Sequence, residues 1–242
     1  MQKVLMHLVS LVLPANCVGC GTGGEGLLCE RCRGEITLIP AHCTRCAEPL
    51  PSGFHHLCGG CITRRLHIDH ALTLYPYSGV LREVLISFKS RGSTALWREV
   101  RGLLVDGLCA RDEQGVVGPF READAVVPIP LHWRRIWNRE FNQSLWIARE
   151  VGNFLGIPVN DALRRTRFTP KQRGKGLAER RKNVKGAFEV LSSVKGNRLV
   201  LVDDIATSLA TADEAARVLK IKGAQWVGIF TLARTLRWDQ HA

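Results

Sequence analysis

Eight of the nine cysteines in this chain fall within its first 61 residues as four Cys-x-x-Cys pairs: Cys17/Cys20, Cys29/Cys32, Cys43/Cys46 and Cys58/Cys61. A short segment rich in cysteine and glycine cannot bury enough apolar surface to fold unaided, so these pairs must act as staples. In a cytosolic chain such spacing points to metal rather than to disulfides. Two cysteines three apart wrap one ion through a tight turn, and two such pairs complete a tetrahedral thiolate set for Zn²⁺. The simplest pairing is sequential: Cys17, Cys20, Cys29 and Cys32 on one ion, Cys43, Cys46, Cys58 and Cys61 on another. A crossed pairing satisfies the same spacing. With every coordination position filled by sulfur, both sites are structural and leave no opening for catalysis. His42, His55 and His56 stand close enough to substitute as ligands but read as solvent-exposed loop residues. Cys109, in an apolar helical pattern, reads as core.

At His67 the composition changes, dividing the chain into a cysteine module over residues 1–66 and a larger domain over 67–242. Within the larger part, residues 71–77, 123–129, 188–191, 198–202 and 226–232 read as strands. Residues 81–88, 94–111, 143–155 and 211–222 read as helices, the last closed by Gly223 at its C-terminal end. Strands alternating with helices specify an α/β fold with a mostly parallel sheet. No apolar stretch reaches the roughly 20 residues of a membrane span. The apolar segment 4–14 lacks a small-residue cleavage site before Cys17 and reads as a short amphipathic helix, so the expected location is cytoplasmic.

The net charge is +12, which favours anionic partners such as nucleic acid, nucleotides or phosphorylated sugars. It is unevenly spread. Between Arg164 and Lys185 ten basic residues face one acid, Glu179, for a net of +9. Pro170, Gly174 and Gly176 interrupt this segment, so part of it reads as a mobile loop. Arg173, Lys175, Arg180 and Arg181 are its candidates for closing over phosphates or meeting a nucleic-acid backbone.

One run carries more chemistry than any other: Leu199-Val-Leu-Val-Asp203-Asp204-Ile-Ala-Thr207-Ser208-Leu209-Ala-Thr211. Four apolar residues form a buried strand, two carboxylates follow at its carboxyl end, and a hydroxyl-bearing loop opens a helix. Thr211 and Glu214 have the spacing of a capping box. In an open α/β sheet ligands bind at the carboxyl ends of the strands. Acids there hold sugar hydroxyls or hydrated Mg²⁺, and a helix N-terminus holds phosphate. The run resembles the phosphoribosyl-diphosphate (PRPP) loop of type I phosphoribosyltransferases, departing at Leu209, where that family has glycine.

Further segments extend the resemblance: Val127-Pro-Ile-Pro-Leu-His132, Arg139-Glu-Phe-Asn-Gln-Ser144, Arg165-Thr-Arg-Phe-Thr-Pro-Lys-Gln172 and Asn183-Val-Lys-Gly-Ala-Phe188. With the cysteine pairs, they make the chain similar to the competence protein F (ComF) family over nearly its whole length. That resemblance implies a double zinc ribbon preceding a sheet of the type I phosphoribosyltransferase kind. It implies PRPP or a related sugar phosphate with Mg²⁺ as ligand and a link to DNA uptake in natural transformation. Asp203 and Asp204 would be the catalytic acids. Thr207, Ser208, Leu209 and Thr211 would bind the 5′-phosphate, and Lys89 and Arg91 the pyrophosphate. Single-stranded DNA and proteins of the uptake machinery are the further partners implied. Glu140 stands where the family has glycine, and Gly174-Lys-Gly176 replaces a more apolar stretch. Asn142 suits either an acceptor or ribose contact or the cap of the helix beginning at Gln143.

Overall fold

The computed structural model describes residues 16–24, 26–51, 53–91, 94–131, 142–167 and 177–236. The helix expected over 4–14 lies outside them. In the cysteine-rich part the helices are α1 (Glu30–Gly34) and α2 (Gly59–Thr63). There follow β1 (His70–Pro76), α3 (Gly79–Arg91), α4 (Thr94–Glu113), α5 (Gly118–Arg121), β2 (Ala125–Pro128) and α6 (Gln143–Leu155). The chain continues with β3 (Leu163–Arg165), α7 (Leu177–Val184), β4 (Phe188–Val190), β5 (Arg198–Ala206), α8 (Ala210–Ile221) and β6 (Trp226–Arg234).

The expected parallel sheet is present, with strand order β1-β6-β5-β2 and every neighbour parallel. Its strands are apolar on both faces, as a sheet covered twice must be. Val200, Val202, Leu72 and Phe230 pack on one side with Leu81, Leu85, Leu104 and Ile147 of α3, α4 and α6. Leu199, Leu201, Val127 and Ile229 pack on the other with Ala212, Ala215, Ala216 and Leu219 of α8. Those four α8 positions recur at helical spacing, which gives the helix a single buried stripe.

Phe188–Val190 is a strand, but it stands outside the main sheet and pairs antiparallel with β3. Leu163–Arg165 has no apolar alternation and gives no local strand signal. Cross-strand pairing, including an Arg164–Glu189 ion pair of 2.8 Å, is what makes it one. Glu214 does not cap α8. Its carboxylate accepts from Gly186 N–H at 2.7 Å and pairs with Arg217, tying α8 to the segment after α7. The helix instead begins at Ala210, behind Leu209 in a left-handed conformation (φ 57°).

The two cysteine modules straddle the β1 edge of the sheet. Cys17, Leu28 and Cys32 join the core on the α3–α4–α6 side, and Cys43, Cys46, Ala47 and Cys61 join the core on the α8 side. The segment between them runs along β1, with Ile39 N–H donating to Leu74 O (2.9 Å) and Ala71 N–H donating to Thr44 O (2.6 Å). These bonds occupy part of an edge strand's otherwise unpaired backbone. Arg111 of α4 is fully buried and donates to the carbonyls of Ile39 and Pro40, holding that segment in place. Two expectations fail at this level. His42 is fully buried, its backbone N–H bonded to His55 Nδ1, because the segment beside it packs against the sheet edge. Cys109, on the outer side of α4, is exposed.

Candidate functional site

The cysteines assemble in the sequential pairing. In each module all four sulfurs lie within 4.8 Å of one another. A tetrahedral Zn²⁺ with Zn–S bonds of about 2.3 Å requires sulfurs about 3.8 Å apart. Cys20 and Cys29 Sγ are 3.8 Å apart, and Cys46 and Cys58 Sγ are 3.7 Å apart. The backbone repeats as well. Cys29 N–H donates to Cys17 Sγ at 3.4 Å, and Cys58 N–H donates to Cys43 Sγ at 3.2 Å, the outer bonds that orient thiolate ligands. Burial pushes the Cys32 and Cys61 thiols up to about 12. A cation among the sulfurs reverses that, so the donor sets fit two structural zinc ions.

The acid pair lies in the strand rather than beyond it. Strand β5 stays paired with β6 through Ala206, while its pairing with β2 ends at Val202. Past Val202 no strand among the described residues pairs with that side of β5, and Asp203 and Asp204 follow directly. Asp203 Oδ1 accepts from Ser144 Oγ (3.0 Å), the second residue of α6, and from Asp204 N–H (2.9 Å). Burial, and then the neighbouring Asp204 carboxylate, push Asp203 up to about 7. Lys89, near the C-terminal end of α3, forms an ion pair of 2.6 Å with Asp204 Oδ2. Residues 115 positions apart in sequence thus meet.

Around Asp203 a small cleft, open to solvent, is lined by Ala206, Thr207, Leu209, Ala210, Thr211 and Thr231 among others. Thr207 is exposed, whereas Ser208 and Thr211 are half-buried. Ser208 Oγ accepts from Ala210 N–H (3.4 Å) and Leu209 O accepts from Asp213 N–H (2.8 Å), which orders the turn into α8. Leu209 keeps the left-handed backbone that favours glycine, and its side chain is 6% exposed, packed with the α8-side core. Such a conformation costs leucine about 1–2 kcal/mol. Here burial of the side chain offsets it.

Of the sequence-predicted residues, Asp203, Asp204, Thr207, Ser208, Leu209, Thr211 and Lys89 converge. Arg91 ends α3, with its side chain outside the described residues. Arg173 and Lys175 lie outside them too, as do Arg139 and Glu140. Arg180 and Arg181 belong to α7, which packs on α8, and their side chains are not among those described. Asn142 caps α6, its Oδ1 accepting from Ser144 N–H at 3.1 Å. Trp146 packs against Phe88 and Trp97 in an aromatic cluster. Two features of the site carry little local sequence signal: Ser144, and the buried Thr231–Thr73 hydroxyl pair (3.1 Å), which lies in the same ladder row as Asp203. Only the adjacency of Ser144 to Asn142-Gln143 hinted at the first.

Residues 8–62 match a double zinc ribbon domain. The chain is 32% identical over 216 residues to the DNA utilization protein YhgH of Escherichia coli strain K12, covering 88% of this chain and 92% of that protein. It is 29% identical over 211 residues to competence protein F of Haemophilus influenzae, covering 86% and 90%. Among solved structures, the purine phosphoribosyltransferase of Pyrococcus horikoshii is similar at 16% identity and a TM-score of 0.36, over 57% of this chain and 84% of that one. No helix among the described residues is long and apolar enough to cross a membrane.

Proposed function

The chain belongs to the competence protein F family, and from that premise we propose that it binds PRPP or a closely related sugar phosphate with Mg²⁺ in the cleft between β5 and α8. The observation that carries this reading is the Lys89–Asp204 ion pair beside Asp203, where β5 has outrun β2. A 5′-phosphate fits the start of α8, where Thr207, Ser208 and Thr211 supply hydroxyls and the helix supplies backbone N–H groups. The ribose hydroxyls face Asp203 and Asp204. A pyrophosphate competes for Lys89 and draws it from Asp204, leaving that carboxylate to accept from the sugar. Asp203 and Asp204 would hold the Mg²⁺, which would supply positive charge to the departing pyrophosphate. Loss of pyrophosphate through an oxocarbenium-like state would then depend mainly on charge stabilisation and positioning. Leu209 supports binding, because its backbone retains the loop conformation while its side chain packs into the core.

Calorimetric titration of Mg²⁺·PRPP into wild type and Asp204→Ala tests the reading. Binding to wild type that weakens at least tenfold in the variant is expected, and no binding to wild type rejects it.

The basic segment favours a second role for the same protein, contact with single-stranded nucleic acid in a cytoplasmic DNA-uptake setting. Its described helix, α7, packs on α8. Such binding should weaken steeply with salt, in proportion to the phosphates neutralised.

A further inference from the structure

The two cysteine modules repeat the same backbone, and one position in that repeat is used differently. Cys17 N–H donates to Thr22 O, and Cys43 N–H donates to Glu48 O, so Thr22 and Glu48 occupy the same place in the two knuckles. Thr22 is exposed. Glu48 is 7% exposed, and its Oε2 accepts from Nη2 of Arg234 at 2.7 Å, with Arg234 itself 5% exposed. Glu48 is also stitched to the module by its main chain, through Cys43 N–H and through the Cys46 sulfur.

Arg234 ends β6 directly beside the ligand loop. It is the register partner of Ala206, and the next residue, Thr235, donates its N–H to Ala206 O at 2.9 Å. At the other end of the loop, His67 N–H, just after the second module, donates to Asp213 Oδ1 at 2.6 Å. Asp213 N–H in turn closes on Leu209 O. Beneath the loop, Cys43, Cys46, Ala47 and Cys61 share one buried cluster with Ala206, Leu209 and Ala212. The loop from Ala206 to Asp213 is therefore held at one end by the β6 terminus, which Glu48 of the second module grips through Arg234, and at the other by His67, and it shares a buried cluster with that module's cysteines. The first module meets the opposite side, where Arg33 pairs with Glu99 of α4.

We infer that Glu48 and Arg234 are positioning residues for the ligand loop, through which the second cysteine module, and not the first, sets the loop's order and its affinity for sugar phosphate. The affinity part of this rests on the function proposed above, whereas the order of the loop does not. A buried ion pair suits such a clamp because it fixes one geometry: a shifted partner leaves an uncompensated charge.

The test uses the full zinc-loaded chain in four forms: wild type, Glu48→Gln, the double variant Glu48→Leu/Arg234→Met, and Arg33→Ala. Zinc per chain is measured by atomic emission, exchange of the Asp213 and Thr235 amides by hydrogen–deuterium exchange, and Mg²⁺·PRPP affinity by calorimetry. Expected are two zinc ions in every form. Amide exchange should be about tenfold faster in Glu48→Gln and in the double variant, with ligand affinity about tenfold weaker, and neither should change in Arg33→Ala. Where Glu48→Gln sheds an ion, the double variant, which leaves no charge unpaired, is the one scored. Exchange within about twofold of wild type in the scored variant overturns the inference. So does equal loosening in Arg33→Ala, and so does loss of an ion from both Glu48 variants, because the pair would then hold metal rather than loop. If wild type binds no PRPP, the functional reading falls and the exchange data still decide the positioning role.

Discussion

The first and second cysteine modules share ligand spacing, knuckle hydrogen bonds and sulfur geometry, yet they sit in different surroundings. Cys20 of the first is exposed, and its module leans on α4 through Arg33, Glu99 and Asp106, with Arg33 and Asp106 reaching solvent. In the second, Cys43, Cys46 and Cys61 are all buried, and the module lies under the loop that opens α8. Two copies of one local design can therefore carry unequal weight. The weight comes from the neighbour each copy meets, because burial and desolvated pairing are worth several times a solvent-exposed contact.

The strongest way to break this comparison is to remove one ligand from each module. Cys46→Ser should cost on the order of 3–5 kcal/mol more than Cys20→Ser, because Cys46 is buried with the α8-side core whereas Cys20 is exposed. In a chain of this size that is about 10–15 °C in melting temperature. Zinc content and thermal melts of both variants check it, and equal losses would break the asymmetry.

A smaller effect separates the acid site from both modules. The folded pKa of Asp203 is raised to about 7, against an ordinary value of about 3.9. The protonated carboxyl is thus favoured by folding. Its stabilising contribution is complete below about pH 3.9 and is lost as pH rises through about 7. Asp203→Asn, which keeps an acceptor for Ser144 and the Asp204 amide, should flatten that decline. It should be about 1–2 kcal/mol more stable than wild type at pH 8 and equal to it at pH 4. Urea unfolding at the two pH values reads this out, and Cys20→Ser should leave the window unaltered.

The smallest effect lies in the knuckles themselves. Gly21 and Ala47 follow the second cysteine of each knuckle and both have positive φ, 74° and 55°. A Cβ on Gly21 would meet nothing within 4 Å, so Gly21→Ala tests backbone strain alone and should cost about 1 kcal/mol. Ala47→Gly relieves that strain but removes a methyl that is 2% exposed. Its net change should stay within about 0.5 kcal/mol, because a buried CH₂-sized group is worth about 0.8 kcal/mol. Denaturant midpoints compare the two.

Much of the fold is legible in the sequence because its signals are local. The apolar run before Asp203 specifies β5, the Ala212-Ala215-Ala216-Leu219 stripe specifies α8, and Gln143 to Leu155 is helical from end to end as its pattern requires. The misreadings share a cause. Thr211 and Glu214 have capping-box spacing, but Glu214 is claimed by Arg217 and Gly186, partners that spacing cannot anticipate. His42 carries no local sign of burial, which comes from the sheet edge beside it. Arg111 is charged, and its burial follows from backbone carbonyls more than 70 positions away.

By itself the sequence determined the parallel α/β class, the acid-and-hydroxyl character of the β5–α8 loop and the eight candidate metal-ligating cysteines, though not their pairing. Each rests on residue type and short-range periodicity, which local chemistry reads directly. Only the tertiary structure decided that Lys89 meets Asp204, that Ser144 meets Asp203, and that Glu48 reaches Arg234 across 186 positions. Those contacts depend on which faces and edges come together when the sheet is covered, and no window of sequence contains both partners.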